Sequence, residues 1–202
     1  MEAHEERKPP RRGRGRRPAA EVRADILAAT AALLLDEGMG GVTIERVAEL
    51  AGASKTTIYK WWPSKGALAL DGYFHAVESA LAFEDTGDIE ADLTAQLRAL
   101  ARLLSDTPAG RVIAGIIGQA QTDPDLADEL LRHYSRPRRD LAVEAMRRAQ
   151  ARGQLRTDID LDTVADQLWG PFYHRLLLFP DLPITDEFAT TLTRNLLTGI
   201  RP

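Results

Sequence analysis

The segment Ser54-Lys55-Thr56-Thr57-Ile58-Tyr59-Lys60-Trp61-Trp62-Pro63 concentrates more cationic and hydrogen-bonding groups than a two-turn helix can bury. Two ammonium groups and three hydroxyls on one short helix suit the base edges and phosphates of a nucleic-acid duplex. Lysine reaches guanine acceptors, and threonine meets a thymine methyl or a base edge. Lys55, Thr56 and Thr57, in the N-terminal half of the helix, are therefore the base-reading candidates. Tyr59, Lys60 and Trp61, with Thr43 and Lys65 near two further helix starts, fit phosphate contacts that set register. The plain alternative for each is a solvated cationic face. A second basic group, Arg14, Arg16 and Arg17, lies in the run Arg11-Arg12-Gly13-Arg14-Gly15-Arg16-Arg17-Pro18. Arginines separated by glycine suit a narrow A·T-rich minor groove, although basic runs also serve as solubilising tails.

Other chemistry is hard to assemble from this chain. There is no cysteine, so disulfides, thiolate metal sites and cysteine nucleophiles are excluded, and a reduced cytoplasm is the expected compartment. His4, His75, His133 and His174 never fall at metal-ligand spacing. Asp158, Asp160 and Asp162 alternate as at the start of a calcium loop, but Thr163 stands where that loop needs glycine and Trp169 where it needs glutamate. No phosphate loop, nucleophile elbow or zinc-protease motif occurs, so no catalytic residue, metal site or cofactor is expected.

The elements that must position the cationic helix are also helical. The chain has 30 Ala and 27 Leu against 7 Val and 10 Ile, which predicts an all-α protein. Val22, Ile26, Ala29 and Leu33 predict an amphipathic helix over 21–37, with Gly38 at the left-handed position that ends it. Thr43 caps a short helix over 44–50, Ala51-Gly52-Ala53 makes a tight connection, and Ser54 caps the cationic helix that Pro63 stops. Val47, Ala48, Gly52 and Ile58 meet the packing needs of a helix-turn-helix: two core apolars, a small residue at the crossing and a positive-φ turn. A chance helical hairpin is the alternative. Ser64 caps a helix predicted over 65–83, and further helices are predicted over 88–104, 108–121, 124–133, 136–152, 161–178 and 185–200.

Charge divides along the same line. Residues 1–65 carry net +3 and residues 66–202 net −7, so only the front should approach a polyanion. Residues 1–20 hold seven Lys/Arg and almost no large apolar side chain, which predicts a disordered basic arm. The expected organisation is this arm, a helix-turn-helix domain over 21–66 and a regulatory and dimerisation domain over 67–202. No apolar run approaches the roughly 18 residues a membrane span needs. Arg16-Arg17 is not followed by an apolar export segment.

Thr43-Ile44-Glu45-Arg46-Val47-Ala48, Ala51-Gly52-Ala53-Ser54, Ile58-Tyr59-Lys60-Trp61-Trp62 and Lys65, ending in Leu68, resemble the DNA-binding domain of TetR-type transcriptional regulators. The resemblance covers residues 21–70 most closely. The chain departs from the family where Ala53 replaces a common Val, Trp61 a His or Tyr, and Trp62 a Phe. It implies a homodimer that inserts the cationic helix of each copy into the major groove of double-stranded DNA at a palindromic operator. It also implies a small-molecule effector bound in the C-terminal helices, with release from DNA as the response.

The acidic remainder is then expected to dimerise and to sense. Leu168, Trp169, Phe172, Leu176, Leu192 and Leu196 on the last two predicted helices form apolar faces for a four-helix interface, the alternative being ordinary core. Phe74, Leu104, Ile117, Tyr134 and Met146, with Gln121, His133 and Tyr173 as polar groups, are the candidate lining of an effector cavity, again against plain core filling. Two rival functions are a nonspecific architectural DNA-binding protein using the arginine arm and a small all-helical enzyme using the C-terminal cavity.

Overall fold

The computed structural model describes residues 17–81 and 83–201, and among these every regular element is helical. The helices are α1 (Ala19–Gly41), α2 (Ile44–Ala51), α3 (Lys55–Trp61), α4 (Lys65–Val77), α5 (Ile89–Asp106), α6 (Ala109–Ala120), α7 (Pro124–Leu130), α8 (Arg136–Ala151), α9 (Leu161–Leu178) and α10 (Asp186–Ile200). None is long and apolar enough to cross a membrane. Residues 1–16 of the predicted arm, including Arg14 and Arg16, lie outside the described residues. Within the rest of the arm, α1 begins at Ala19, two residues ahead of the onset read from the apolar spacing.

Helix α1 buries Ile26, Leu27, Leu33 and Leu34 and is broken at Gly38, whose φ of 70° and ψ of −166° form a combination essentially open to glycine alone. The positive φ read from sequence is present, but ψ is extended, and helical turns resume as far as Gly41. Its principal partner is α4, against which it lies very close. A Cβ on Gly72 would stand 2.6 Å from Thr30 Cγ2, so the crossing needs glycine there for proximity rather than for conformation. Buried Thr30 satisfies its hydroxyl by donating to the Ile26 carbonyl at 2.7 Å, which lets its methyl face α4.

Two predicted boundaries differ. Helix α4 stops at Val77 instead of near residue 83 and gives way to a 3₁₀ turn, Ser79–Leu81. Tertiary partners take the carbonyl that a longer helix would use internally: Gln96 Nε2 and Arg138 Nη2 each donate to Leu81 O at 3.3 Å. The predicted break between helices 124–133 and 136–152 is instead a π turn, Leu131–Ser135, that leads directly into α8. Pro137 in the first turn of α8 lacks an N–H and crowds the preceding turn, and local widening accommodates it.

Beyond α4, the core is made by α5, α6, α8 and α9, with Leu97, Ile113, Ile116, Met146, Leu168 and Phe172 almost wholly excluded from solvent. Helix α10 packs along α5, where Arg98 Nε donates to Thr190 Oγ1 at 3.0 Å and Ser105 Oγ to Ile184 O at 2.7 Å. Asp160 caps α9 through Asp162 N at 2.8 Å and Thr163 N at 3.1 Å, while Asp158 and Asp162 pair with Arg156 and Arg139. The alternating aspartates thus have structural partners.

Candidate nucleic-acid interface and internal cavity

The geometry of the α2–α3 unit follows from its caps. Thr43 Oγ1 accepts from Arg46 N at 3.2 Å, and Ser54 Oγ accepts from Thr57 N at 3.1 Å. Between them Gly52 takes left-handed angles, φ 59° and ψ 37°, and Ala53 N closes onto Ala48 O at 2.9 Å. Val47 and Ile58 are fully buried beneath the turn. Trp62 is only 2% exposed, and its indole donates to Asp71 Oδ2 on α4 at 2.8 Å. Arg23 from α1 pairs with the same carboxylate and lies 5.2 Å over the Trp62 ring. Trp62 therefore locks α3 to both α1 and α4.

The outer face of α3 is free of that packing. Lys55, Thr56, Tyr59 and Lys60 are exposed, and Tyr59 keeps 53% of its surface open, a large aromatic exposure with no covering element among the described residues. Thr57 is half-buried, its hydroxyl 2.8 Å from Ser54 Oγ. Trp61 is also half-buried, edge-on to Trp62 at 5.7 Å between centroids.

Three of the sequence candidates carry intramolecular partners that spacing did not reveal. Lys55 Nζ lies 2.5 Å from Glu45 Oε1 on α2, and this hydrogen bond holds the Glu45 carboxyl below its ordinary range. Lys65 Nζ donates to Met39 O at 3.1 Å, meeting a carbonyl at the end of α1. Arg17 donates to Ala51 O at 3.4 Å and pairs with Asp25, so it lies against the Gly52 turn. A further brace, unseen in the sequence reading, joins α1 to α2: Arg46 binds both Glu37 oxygens, at 2.7 and 2.5 Å, and Gly41 O at 2.9 Å. That hydrogen bonding keeps the Glu37 carboxyl low as well. A Glu-Lys or Glu-Arg pair nine or ten residues apart across a turn carries no periodic signal.

In the C-terminal part a cavity of about 470 Å³ opens between α5, α6, the π turn, α8 and α9. Ile117, Tyr134 and Tyr173 line it, and Phe74 stands behind Tyr134, stacked at 4.6 Å between centroids. The other four candidate lining residues lie elsewhere. Leu104 and Met146 are packed into the core, Gln121 turns back to donate to Ile117 O at 3.2 Å, and exposed His133 sits 3.2 Å from Glu129. Leu104 and Gln121 stand one turn beyond the lining residues Leu100 and Ile117, and Met146 two turns beyond Arg139, so spacing had found the right helix faces but not how far along them the cavity extends. Residues the sequence reading missed, Leu100, Leu130, Arg138, Arg139 and Leu177, complete much of the wall.

The six apolar residues assigned to a dimer face also divide. Leu168 and Phe172 are fully buried within the protomer, Phe172 meeting Phe188 of α10 edge-on at 5.2 Å, which corrects their assignment to a surface. Trp169 faces the cavity. Leu176, Leu192 and Leu196 are half-buried, the last two lining a surface groove with Pro171 between α9 and α10.

Comparison with known proteins places this geometry in context. A family model described as bacterial regulatory proteins, tetR family, matches residues 26–71, and one described as tetracyclin repressor-like, C-terminal domain, matches residues 83–196. The HTH-type transcriptional regulator YdeS of Bacillus subtilis is 34% identical over 188 residues, covering 93% of this chain and 94% of that protein. The DNA-binding transcriptional repressor TetR of Mycobacteroides abscessus is 32% identical over 183 residues, covering 89% and 94%. The crystal structure of the TetR family transcription regulator SCO0332 is 58% identical with a TM-score of 0.82, covering 90% of this chain and all of that one.

Proposed function

The chain belongs to the TetR family of transcriptional regulators, DNA-binding proteins rather than enzymes, and from that premise we propose that it acts as a dimeric repressor of a palindromic operator, released by a small molecule. The observation that carries this reading is the outer face of α3, where Lys55, Thr56, Tyr59 and Lys60 stand exposed on a helix fixed from behind by Ile58 and Trp62. Lys55, Thr56 and Thr57 read bases; Thr43, Tyr59, Lys60, Trp61 and Lys65 contact phosphates. Arg17, against the α2–α3 turn, roots the arm bearing Arg14 and Arg16 beside the same DNA. Residues 21–66 act as the DNA-binding unit and 67–202 as the regulatory unit, working in the cytoplasm, where the DNA is.

Two α3 helices must sit about 34–36 Å apart to enter successive major grooves, which a single copy cannot arrange. The half-buried Leu176, Leu192 and Leu196 on α9 and α10 support dimerisation through those helices. The cavity supports effector control. Phe74, on the α4 helix that Trp62 and Gly72 clamp to the DNA-binding unit, stacks on cavity-lining Tyr134. A ligand that displaces Tyr134 acts on α4 directly and lowers DNA affinity by its differential affinity for the two arrangements.

Binding-site selection on genomic DNA, followed by competition of the selected palindrome against random duplex at fixed salt, tests the proposal. A selective advantage of about 10³ or more is expected of a specific regulator. Equal affinity for both duplexes would leave the nonspecific architectural reading instead. Leu196→Asp should yield a monomer in sedimentation, and an unchanged mass would remove the α9–α10 interface.

A further inference from the structure

The hydroxyl chemistry of the cavity limits what can occupy it. Tyr134 Oη and Tyr173 Oη are 3.0 Å apart, so one hydroxyl donates to the other and the second is left with a proton to give. Tyr73, only 1% exposed and edge-on to Tyr134 at 6.4 Å between centroids, has a buried hydroxyl with no hydrogen-bond partner among the described residues. A buried hydroxyl left unpaired is costly, and here two unused donors belong to one aromatic cluster. Burial raises the Tyr73 and Tyr173 hydroxyls well above the ordinary phenol range, so both remain donors at any physiological pH.

The remaining walls argue against a charged occupant. Leu100, Ile117, Leu130, Trp169 and Leu177 present hydrocarbon and an indole face. Of the arginines at the edge, Arg139 is neutralised by Asp162 and Asp166. Arg138 is committed to Leu81 O and lies 5.7 Å over the Tyr134 ring. Arg136, also at the rim, is exposed to solvent. An anion held against the leucines and Trp169 would lose hydration, with Arg138 and solvent-exposed Arg136 the cations left to it, whereas a neutral acceptor oxygen takes the spare tyrosine proton without that cost. The π turn that carries Tyr134 is an irregularity of the kind that recurs at binding sites.

We propose that the cavity takes a neutral, ring-bearing ligand that presents one acceptor oxygen, such as a ketone, to the Tyr134–Tyr173 hydroxyl pair while its aromatic body packs on Trp169 and the leucines. This inference rests on the reading of the cavity as the effector site and assigns that effector's chemical class. The ligand accepts a hydrogen bond; no covalent step is involved.

A matched series tests it on the full-length protein by calorimetry. Benzophenone and diphenylmethane share two rings and differ at the carbonyl, and 4-benzoylbenzoate adds a carboxylate. Benzophenone should bind about 10-fold more tightly than diphenylmethane, the scale of one buried hydrogen bond. In Tyr134→Phe/Tyr173→Phe, whose rings keep their packing, that ratio should fall below about twofold with diphenylmethane affinity unchanged. An unaltered melting temperature would establish that the double variant is folded, and Tyr173→Phe alone, which leaves the Tyr134 hydroxyl free to donate, should retain the preference for benzophenone. Equal binding of the two compounds by the wild type, no binding of either, or a ratio that survives the double substitution overturns the proposal. Tighter binding of 4-benzoylbenzoate than of benzophenone overturns the assignment of a neutral ligand. The same titrations repeated with operator duplex separate the two ideas. Carbonyl-selective binding that leaves operator affinity unchanged would refute effector control while sustaining the ligand class.

Discussion

Glu45 on α2 and Lys55 at the start of α3 form an ion pair 2.5 Å long on the face proposed to meet DNA. Glu45 therefore opposes both the charge and the reach of the residue best placed to read a base. An exposed pair of this kind contributes little to folding, so its consequence belongs to binding.

Glu45→Gln should raise affinity for random duplex more than for the operator, because it removes a negative charge from the interface and frees Lys55 for phosphate. The slope of log K against log salt should steepen by about 0.9 if one phosphate contact is gained. Fluorescence anisotropy across a salt series reads both effects, and an unchanged slope would remove Glu45 from the interface.

The same pair predicts a pH dependence. Lys55 holds the Glu45 carboxyl below the usual carboxylate range, so the pair is intact at neutral pH and is lost as pH falls through the lowered value. The excess nonspecific affinity of Glu45→Gln over wild type should shrink at acidic pH as wild-type Glu45 protonates. An excess that stays constant on acidification would exclude this origin.

Gly72→Ala forces a methyl to within 2.6 Å of Thr30 Cγ2 at the α1–α4 crossing. Overpacking of this kind costs about 1–3 kcal/mol, and each kcal/mol lowers Tm by about 2–4 °C in a chain of this size. Adding Thr30→Ala should recover part of the loss because the clash is with its side chain. A double-mutant cycle in denaturant with no coupling would show that the helices part without resistance.

Substitutions on α3 should divide by role. Lys60→Ala is expected to weaken all duplexes alike and flatten the salt slope by about 0.9. Thr56→Ala should instead cost about 1–3 kcal/mol at particular operator positions. Removing residues 1–16 while keeping Arg17, which lies against the turn, should also flatten the slope. A slope that the truncation leaves unaltered would reduce the arm to a solubilising tail.

The local elements were legible because short-range chemistry specifies them. Thr43, Ser54 and Ser64 cap their helices, Gly52 takes the left-handed turn, and Ile58 lies buried as its position required. The cavity was only partly legible. Ile117, Tyr134 and Tyr173 line it, whereas Leu104 and Met146, equally apolar, fill the core. A helical period defines an apolar stripe but does not say which neighbour covers it.

What the sequence determined by itself, then, is the all-helical class, the helix-turn-helix and its exposed cationic face, because caps, glycine angles and apolar spacing act within a few residues. Tertiary structure alone decided that Lys55 meets Glu45, that Phe172 closes onto Phe188 inside the protomer, and that the Tyr73 hydroxyl has no hydrogen-bond partner among the described residues. Those relationships join residues on different helices, and they arise only when packing fixes the angle and depth at which the helices meet.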